Sequence, residues 1–149
     1  MAEITIDELN QIELFEDCTK RDLRAIAELF ERETYPAGKH AFRQGQRGQK
    51  AYYVQSGKVI GRHVNPQGIT EEVVQFGPGD FFGETSLLLG EPHDVTAEVV
   101  EDAVLLSLQR DAFREYLRTH SSARKALNVR EDIARKMRAP RFKWLDPDE

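Results

Sequence analysis

The sequence predicts an α+β domain, mainly β, in which a β-barrel or double-sheet roll lies between helical segments. The chain has 149 residues, the size of one domain. In its middle, short segments rich in β-branched and aromatic residues alternate with glycine, proline and asparagine about every ten residues. Toward both ends, apolar residues recur instead at spacings of three and four, which indicates helices.

Residues 1–31 are predicted to be helical. Thr19 precedes Asp22 by three positions, which resembles a capping box with aspartate in place of the usual glutamate or glutamine. This pair predicts that a second helix begins at Thr19. The apolar residues at helical spacing are Leu9, Ile12, Leu23, Ile26, Leu29 and Phe30.

Residues 32–109 are predicted to form the strands of the roll. The strand segments are ERETYP, KHAFRQ, KAYYVQ, KVIGRHV, ITEEVVQF, DVTAEVV and AVLLSLQ. Turns are predicted between them, at Ser56-Gly57 and Asn65–Gly68 among others. The segment ETSLLLG (Glu84–Gly90) breaks the rhythm and predicts a short helix that ends at Gly90.

Residues 110–138 are predicted to be helical again, with a break at Ser121-Ser122. After the break, Ala126, Val129, Ile133 and Met137 form an apolar stripe, which suits a helix that packs on the roll or pairs with a second copy of the chain. A homodimer through residues 121–138 is therefore a hypothesis. Residues 139–149 follow as a tail or linker, so we expect either a domain of a larger protein or a separate subunit.

Composition excludes several function classes. The net charge of −5 argues against nucleic-acid binding by this chain alone. No apolar run approaches the roughly 18 residues that cross a bilayer, so direct membrane insertion is not expected, and the N-terminus does not resemble a signal peptide. The single cysteine, Cys18, excludes an internal disulfide and a cysteine-based metal site. We expect a cytoplasmic protein.

Motifs for catalysis or metal binding are absent from the sequence. The four histidines show no metal-ligand spacing. The sequence has no recognisable nucleophile–base pair, G-x-S-x-G motif or P-loop. We therefore expect no catalytic residues, no metal ligands and no cofactor, and a protein that is not an enzyme.

The segment Phe81–Thr96, FFGETSLLLGEPHDVT, carries the clearest binding pattern. A helix that starts after Gly83 leaves backbone N–H groups unpaired at its positive end, which favours an anion such as phosphate. Thr85 and Ser86 could add hydroxyl donors, and Glu84 could accept hydrogen bonds from sugar hydroxyls. These features together indicate a nucleotide pocket, with a plain surface turn as the alternative.

This segment, with the glycine frame YPAGKHAFRQGQRGQKAYYVQSGKV before it, resembles the cyclic nucleotide-binding domain family over about residues 12–137. The family includes the catabolite activator protein and the regulatory subunits of cAMP-dependent protein kinase. The resemblance implies a double-stranded β-helix, or jelly-roll-like β-roll, with N-terminal helices, a short cassette helix and two C-terminal helices. The phosphate-binding cassette corresponds to residues 82–96, and its matching positions are Phe82, Gly83, Glu84, Leu87, Leu88, Leu89 and Pro92.

The resemblance also implies a set of ligand contacts. Glu84 would bind the ribose 2′-hydroxyl, and backbone N–H groups near Thr85, Ser86 and Asp94 would face the cyclic phosphate. Val74 would either contact the base or belong to the core. The ligand-binding cassette residues carried over from the family are Phe82, Gly83, Glu84, Thr85, Ser86, His93, Asp94 and Val95.

The chain departs from the family pattern nine residues after Glu84. The family has an arginine that pairs with the phosphate, whereas this chain has His93, followed by Asp94 in place of a small residue. Arginine offers a permanent charge and a two-pronged donor, and neutral histidine offers neither. An aspartate at about 4 Å from the phosphate would add repulsion on the order of 4 kcal/mol at an effective dielectric constant of about 20.

Three alternatives follow. The pocket binds cAMP or cGMP weakly or with a substitute cation, it binds another small anion, or it has become an interaction module. The candidate substitute cations are Arg43, Arg47, Lys58 and Arg62. A protonated His93, favoured by Asp94, could also partly replace the arginine, which predicts an affinity that rises as the pH falls from 8 to 6.

We therefore predict a non-catalytic regulatory domain that senses a ligand or partner and signals through its C-terminal helices to an output domain or partner protein. Binding of cAMP and cGMP is expected to be weak or lost. The alternative is a functional cAMP or cGMP sensor domain of a larger protein, or of a transcription regulator without its DNA-binding part.

Overall fold

Three short helices precede the sheet in the computed structural model, which describes residues 2–127. They are α1 (Ile6–Gln11), a 3-10 helix (Glu13–Phe15) and α2 (Lys20–Ala27). The predicted start of α2 is confirmed, because the Thr19 hydroxyl accepts a hydrogen bond from the Asp22 backbone N–H at 3.1 Å. The reciprocal capping box, however, lies at Thr5 and Glu8 of α1, because the Asp22 side chain bonds to the C-terminal helices instead.

Six antiparallel strands form one sheet within the described residues. They are β1 (Glu31–Tyr35), β2 (His40–Phe42), β3 (Lys50–Val64), β4 (Thr70–Phe76), β5 (Phe81–Phe82) and β6 (Thr96–Gln109). The strand order is β1-β6-β3-β4, with β2 also paired to β6 and β5 to β3. The predicted α+β, mainly β fold class is thus confirmed.

The turn predicted at Ser56-Gly57 is wrong, since β3 runs through it as one strand. The register against β6 shifts between Val54 and Val59, which marks β-bulges rather than a chain reversal. At Gly57, where φ is +92°, a Cβ atom would lie 2.4 Å from the carbonyl oxygen of Asp102. Glycine is needed because the two strands bend together here at very close range. β6 likewise runs as one strand through two segments, DVTAEVV and AVLLSLQ, that are predicted as separate strands.

The short helix predicted between Gly83 and Gly90 is confirmed as α3 (Glu84–Leu89). After β6 come α4 (Arg110–Thr119) and a further helical stretch at residues 121–127. The rest of the predicted C-terminal helix, with the stripe residues Val129, Ile133 and Met137, and the tail at 139–149 lie outside the described residues. So does most of the hypothetical dimer surface.

Two apolar clusters hold these elements together. One joins the N-terminal helices to the roll and to α4, with Phe15 and Phe113 fully buried in edge-to-face contact at 5.9 Å. The other fills the inside of the roll, where Phe82, Val59 and Val99 are buried. The cassette helix α3 belongs to the first cluster through Leu87, and the strand before it belongs to the second through Phe82. The cassette therefore lies where the two clusters meet. None of the helices in the described part of the chain is long and apolar enough to cross a membrane.

Candidate functional site

The entry to the cassette is fixed by β5 and Gly83. Phe82 pairs with Tyr52 of β3, and its ring stacks on Phe76 at 4.6 Å and on Tyr52 at 5.4 Å. Gly83 then adopts φ +85°, and a Cβ atom there would lie 3.1 Å from the carbonyl oxygen of Lys50. This close approach to β3 favours glycine and sets the direction in which α3 leaves the roll.

Glu84 and Thr85 lie in the first turn of α3, and both are partly exposed. Leu87, which is fully buried, anchors the helix to the first apolar cluster. The first helical hydrogen bond runs from the Leu87 N–H to the Gly83 carbonyl at 3.1 Å. Glu84 and Thr85 thus lie together in one partly exposed turn, and their contacts with a ribose and a phosphate stay predictions. The side chain of Ser86 lies outside the described part of the structure.

His93 lies almost entirely inside the protein. It is 8% exposed, and its ring stacks flat on Phe42 with centroids 3.5 Å apart. Its backbone is clamped by the loop before β3, with the His93 N–H donating to the Gln46 carbonyl and the Gly45 N–H donating to the His93 carbonyl. Burial lowers the pKa of His93 to about 4.

The predicted protonated His93 is therefore wrong for this structure. With a pKa of about 4, the imidazole is neutral between pH 6 and pH 8. The sequence suggested the opposite shift because Asp94 is adjacent, but Asp94 is exposed and burial is what moves the pKa of His93. The partner that buries the ring, Phe42, was not singled out from the sequence, since 51 positions separate the two residues.

Asp94 and Val95 face different surroundings. The Asp94 side chain is exposed, so water and salt screen its charge. Its carbonyl oxygen lies 2.8 Å from Nδ1 of His63. Val95 is buried and meets Val74 across Gly61, where a Cβ atom would lie 2.6 Å from Val74 Cγ1 and 3.3 Å from Val95 Cγ2.

The structure thus brings the predicted base-contact residue, Val74, to the cassette residue Val95. Gly61 was missed from the sequence. Its small size lets the two valines meet, and no local turn pattern signals this, because it lies within β3.

Of the four cations considered as replacements for the family arginine, two lie beside the cassette: Arg62, which pairs with Thr96 in the sheet but is engaged by carboxylates, and Arg47. Arg47 faces Pro92 in an isolated antiparallel bridge. Together with His93 and Phe42 it lines a cavity of about 230 Å³, which also takes in Lys50 and Tyr52.

The other three have different surroundings. Arg62 is engaged by Glu98 at 3.1 Å. Lys58 lies opposite Glu101 where β3 bends. Arg43 is exposed and lines a separate open pocket with Lys39 and His40.

Comparison with known proteins identifies the family. The family model described as "Cyclic nucleotide-binding domain" matches residues 32–120. The cyclic AMP receptor protein of Thermus thermophilus is 36% identical over 105 residues, which are 70% of this chain and 49% of that protein. The chain spans about half or less of the length of the curated relatives it matches.

Solved structures agree with this assignment. The N-terminal domain of a transcriptional regulator from Streptomyces coelicolor superposes with a TM-score of 0.77 at 25% identity, covering 90% of this chain and 94% of that one. The regulatory subunit of a cAMP-independent protein kinase A from Trypanosoma brucei, in a triple-mutant form, shares the fold with a TM-score of 0.73 at 19% identity, covering 96% of this chain and 49% of that one. The resemblance seen in the cassette residues is confirmed, and the chain belongs to the cyclic nucleotide-binding domain family.

Proposed function

We propose that this chain is a non-catalytic regulatory domain whose cassette binds cAMP and cGMP weakly or not at all. It signals through α4 and the helical residues after it to an output domain or a partner protein in the cytoplasm. The observation that carries this proposal is the state of His93. Where the family has a cation for the phosphate, this chain holds a buried, uncharged ring stacked on Phe42.

The energetic consequence follows from the hydrogen bonds that are lost. A hydrogen bond to a charged group contributes about 1.5–3 kcal/mol, and an arginine makes two such bonds to a phosphate. A neutral imidazole whose face is stacked offers at most one uncharged donor. We therefore expect a loss of about 3 kcal/mol or more, which corresponds to at least a hundredfold in affinity.

A relative of the same fold makes the idea testable. The Trypanosoma brucei kinase subunit is described as cAMP-independent, and the form bound to cAMP carries three substitutions, one of which introduces an arginine. In this chain the equivalent experiment restores an arginine at His93 and a small residue at Asp94.

The test is calorimetric titration with cAMP and with cGMP, at pH 7.5 and pH 6. The wild type is expected to give no binding heat up to about millimolar ligand, whereas the variant H93R/D94S binds at least a hundredfold more tightly. Adding Glu84→Gln to that variant should weaken it again, because the ribose hydroxyl loses its carboxylate acceptor. Thermal unfolding of each variant confirms that it is folded.

Two results would overturn the proposal. Micromolar binding by the wild type would make this a working cyclic-nucleotide sensor, and Arg47, which lines the cavity beside His93, would be the first candidate for its cation. A folded H93R/D94S variant that still binds nothing would show that the missing arginine is not the reason for weak binding.

A further inference from the structure

A second cavity, of about 270 Å³, lies between the loop before β3 and the start of α4. No residue of the cassette, 82–96, lines it. Its lining residues are Arg47, Gly48, Gln49, Lys50, Gln109, Arg110 and Asp111. Its volume is just below the range of about 300–1,000 Å³ that is usual for small-molecule sites.

The cavity has an excess of positive charge although the chain carries a net charge of −5. It holds three permanent cations, Arg47, Lys50 and Arg110, against a single carboxylate, Asp111. Glu33, outside the lining, pairs with Lys50 at 2.8 Å and keeps that amine charged by raising its pKa. Even with Glu33 counted, positive charge remains in excess.

The two arginines have no partner of their own in the described part of the chain. Arg47 is exposed and forms no ion pair with residues 2–127. Nε of Arg110 is buried and has no hydrogen-bond partner among those residues. A buried donor without a partner is costly, and an anion is the ligand that would satisfy it.

Polar groups around the arginines suit an oxyanion. The amides of Gln49 and Gln109 line the same cavity. The first turn of α4 adds partial positive charge, since its N-cap residue Gln109 makes no side-chain cap.

We propose that this cavity is a binding site for a phosphate group, either free or carried by a small phosphorylated molecule, and that it is separate from the cassette. Two arginines and a lysine line the cavity, and these are the residue types that hold oxyanions in proteins.

The site is joined mechanically to the cassette. The guanidinium of Arg110 packs directly against Gly90 at the end of α3, where a Cβ atom would lie 2.7 Å from it. A phosphate that binds Arg110 and shifts its guanidinium would therefore change the contact at the end of the cassette helix.

The test is NMR titration of the ¹⁵N-labelled chain at constant ionic strength with inorganic phosphate, pyrophosphate and glucose 6-phosphate. We expect saturable shifts of the Gly48, Gln49, Gln109 and Asp111 amides, with a smaller response at Gly90. Tighter binding of glucose 6-phosphate than of inorganic phosphate would assign the site to a phosphorylated small molecule, and equal binding would assign it to free phosphate.

Variants make the assignment specific. Arg47→Gln should weaken phosphate binding about tenfold, while Arg47→Lys keeps most of it. The matched control is Arg32→Gln, an exposed arginine of β1 outside the cavity, which should leave the affinity unchanged.

Any of three outcomes would overturn the inference. These are no shifts up to about 10 mM phosphate, equal loss of affinity in R47Q and R32Q, or shifts confined to the amides of Gly83–Thr85. The last would place phosphate in the cassette instead.

Discussion

Replacing Asp22 by alanine should destabilise the junction between the N-terminal helices and the C-terminal helices. Asp22 lies in α2 and is only 1% exposed. Its carboxylate accepts hydrogen bonds from the Tyr116 hydroxyl of α4 at 2.6 Å and from the Ser122 hydroxyl at 2.7 Å. Burial alone would raise the pKa of Asp22, but hydrogen bonds from Ser122, Tyr116 and Thr19 outweigh it and hold the pKa below its ordinary value.

The magnitude follows from those two bonds. Each hydrogen bond to a charged group contributes about 1.5–3 kcal/mol, and part of this is offset because the alanine variant no longer buries a charge. We expect D22A to lower the free energy of unfolding by about 3 kcal/mol, which corresponds to a fall in Tm of about 6–12 °C for a chain of this size. Asp22→Asn should cost less, because the amide can still bond to both hydroxyls.

The assay is urea unfolding followed by far-UV circular dichroism for D22A, Tyr116→Phe and the double variant. The double-mutant cycle should give a coupling energy of about 1.5 kcal/mol between Asp22 and Tyr116. Glu101→Ala, which removes an exposed carboxylate, serves as the control and should stay within about 0.5 kcal/mol of the wild type. A D22A variant as stable as this control, or a coupling energy of zero, would refute the reasoning.

Three further predictions concern His93, Gly57 and Cys18. The pKa of His93 is about 4 in the folded protein and 6.5 ordinarily, so the unfolded chain takes up the proton first and stability falls as the pH drops from 6.5 toward 4. The decline in the free energy of unfolding should reach up to about 1.4 kcal/mol per pH unit, and His93→Phe should flatten it. Urea unfolding at pH 7, 5.5 and 4.5 measures this decline, and an equal decline in the wild type and the variant would contradict the prediction. Gly57→Ala should cost more than about 3 kcal/mol in the same assay because its Cβ would meet backbone at 2.4 Å, whereas Gly77→Ala, with open space around it, should be close to neutral. The Cys18 thiol, which is buried and has its pKa raised to about 11, should react with a disulfide reagent at pH 8 only when urea unfolds the chain; rapid labelling of the native protein would contradict this.

Features set by neighbouring residues were predictable from the sequence. Thr19 caps the helix that its spacing from Asp22 indicated. The short helix α3 lies between Gly83 and Gly90, where two glycines with positive φ mark its ends. In each case the determining contact is local, so the pattern of residues contains the information.

Features set by distant partners were not predictable. Ser56-Gly57 has the composition of a turn, yet β3 continues through it. The reason is a distant partner, since Gly57 lies directly against Asp102 of β6 and the two strands stay paired on both sides of this point. His93 could be named as the residue in place of the family arginine, but its charge state depends on Phe42, whose ring covers it. Sequence adjacency to Asp94 suggested a raised pKa, whereas burial lowers it.

The contacts of α4 bear on the proposed function, because they join this helix both to the cassette helix and to the N-terminal helices. Besides the buried Phe113, two contacts hold the helix. Its first residue, Arg110, packs against Gly90 at the end of α3, and its middle is tied to α2 through Tyr116 and Asp22. Because the Arg110 guanidinium lies against Gly90, we expect a displacement of the end of α3 to move this side chain or to separate the two. Either movement changes the contact at the start of α4, whereas the hydrogen bond between Tyr116 and Asp22 holds the middle of the helix to α2. Under the proposed function, the output would follow the position of α3 and Arg110 rather than a cyclic nucleotide as such, and we expect a phosphate bound beside Arg110 or a partner protein seated on α3 to set the position of α4.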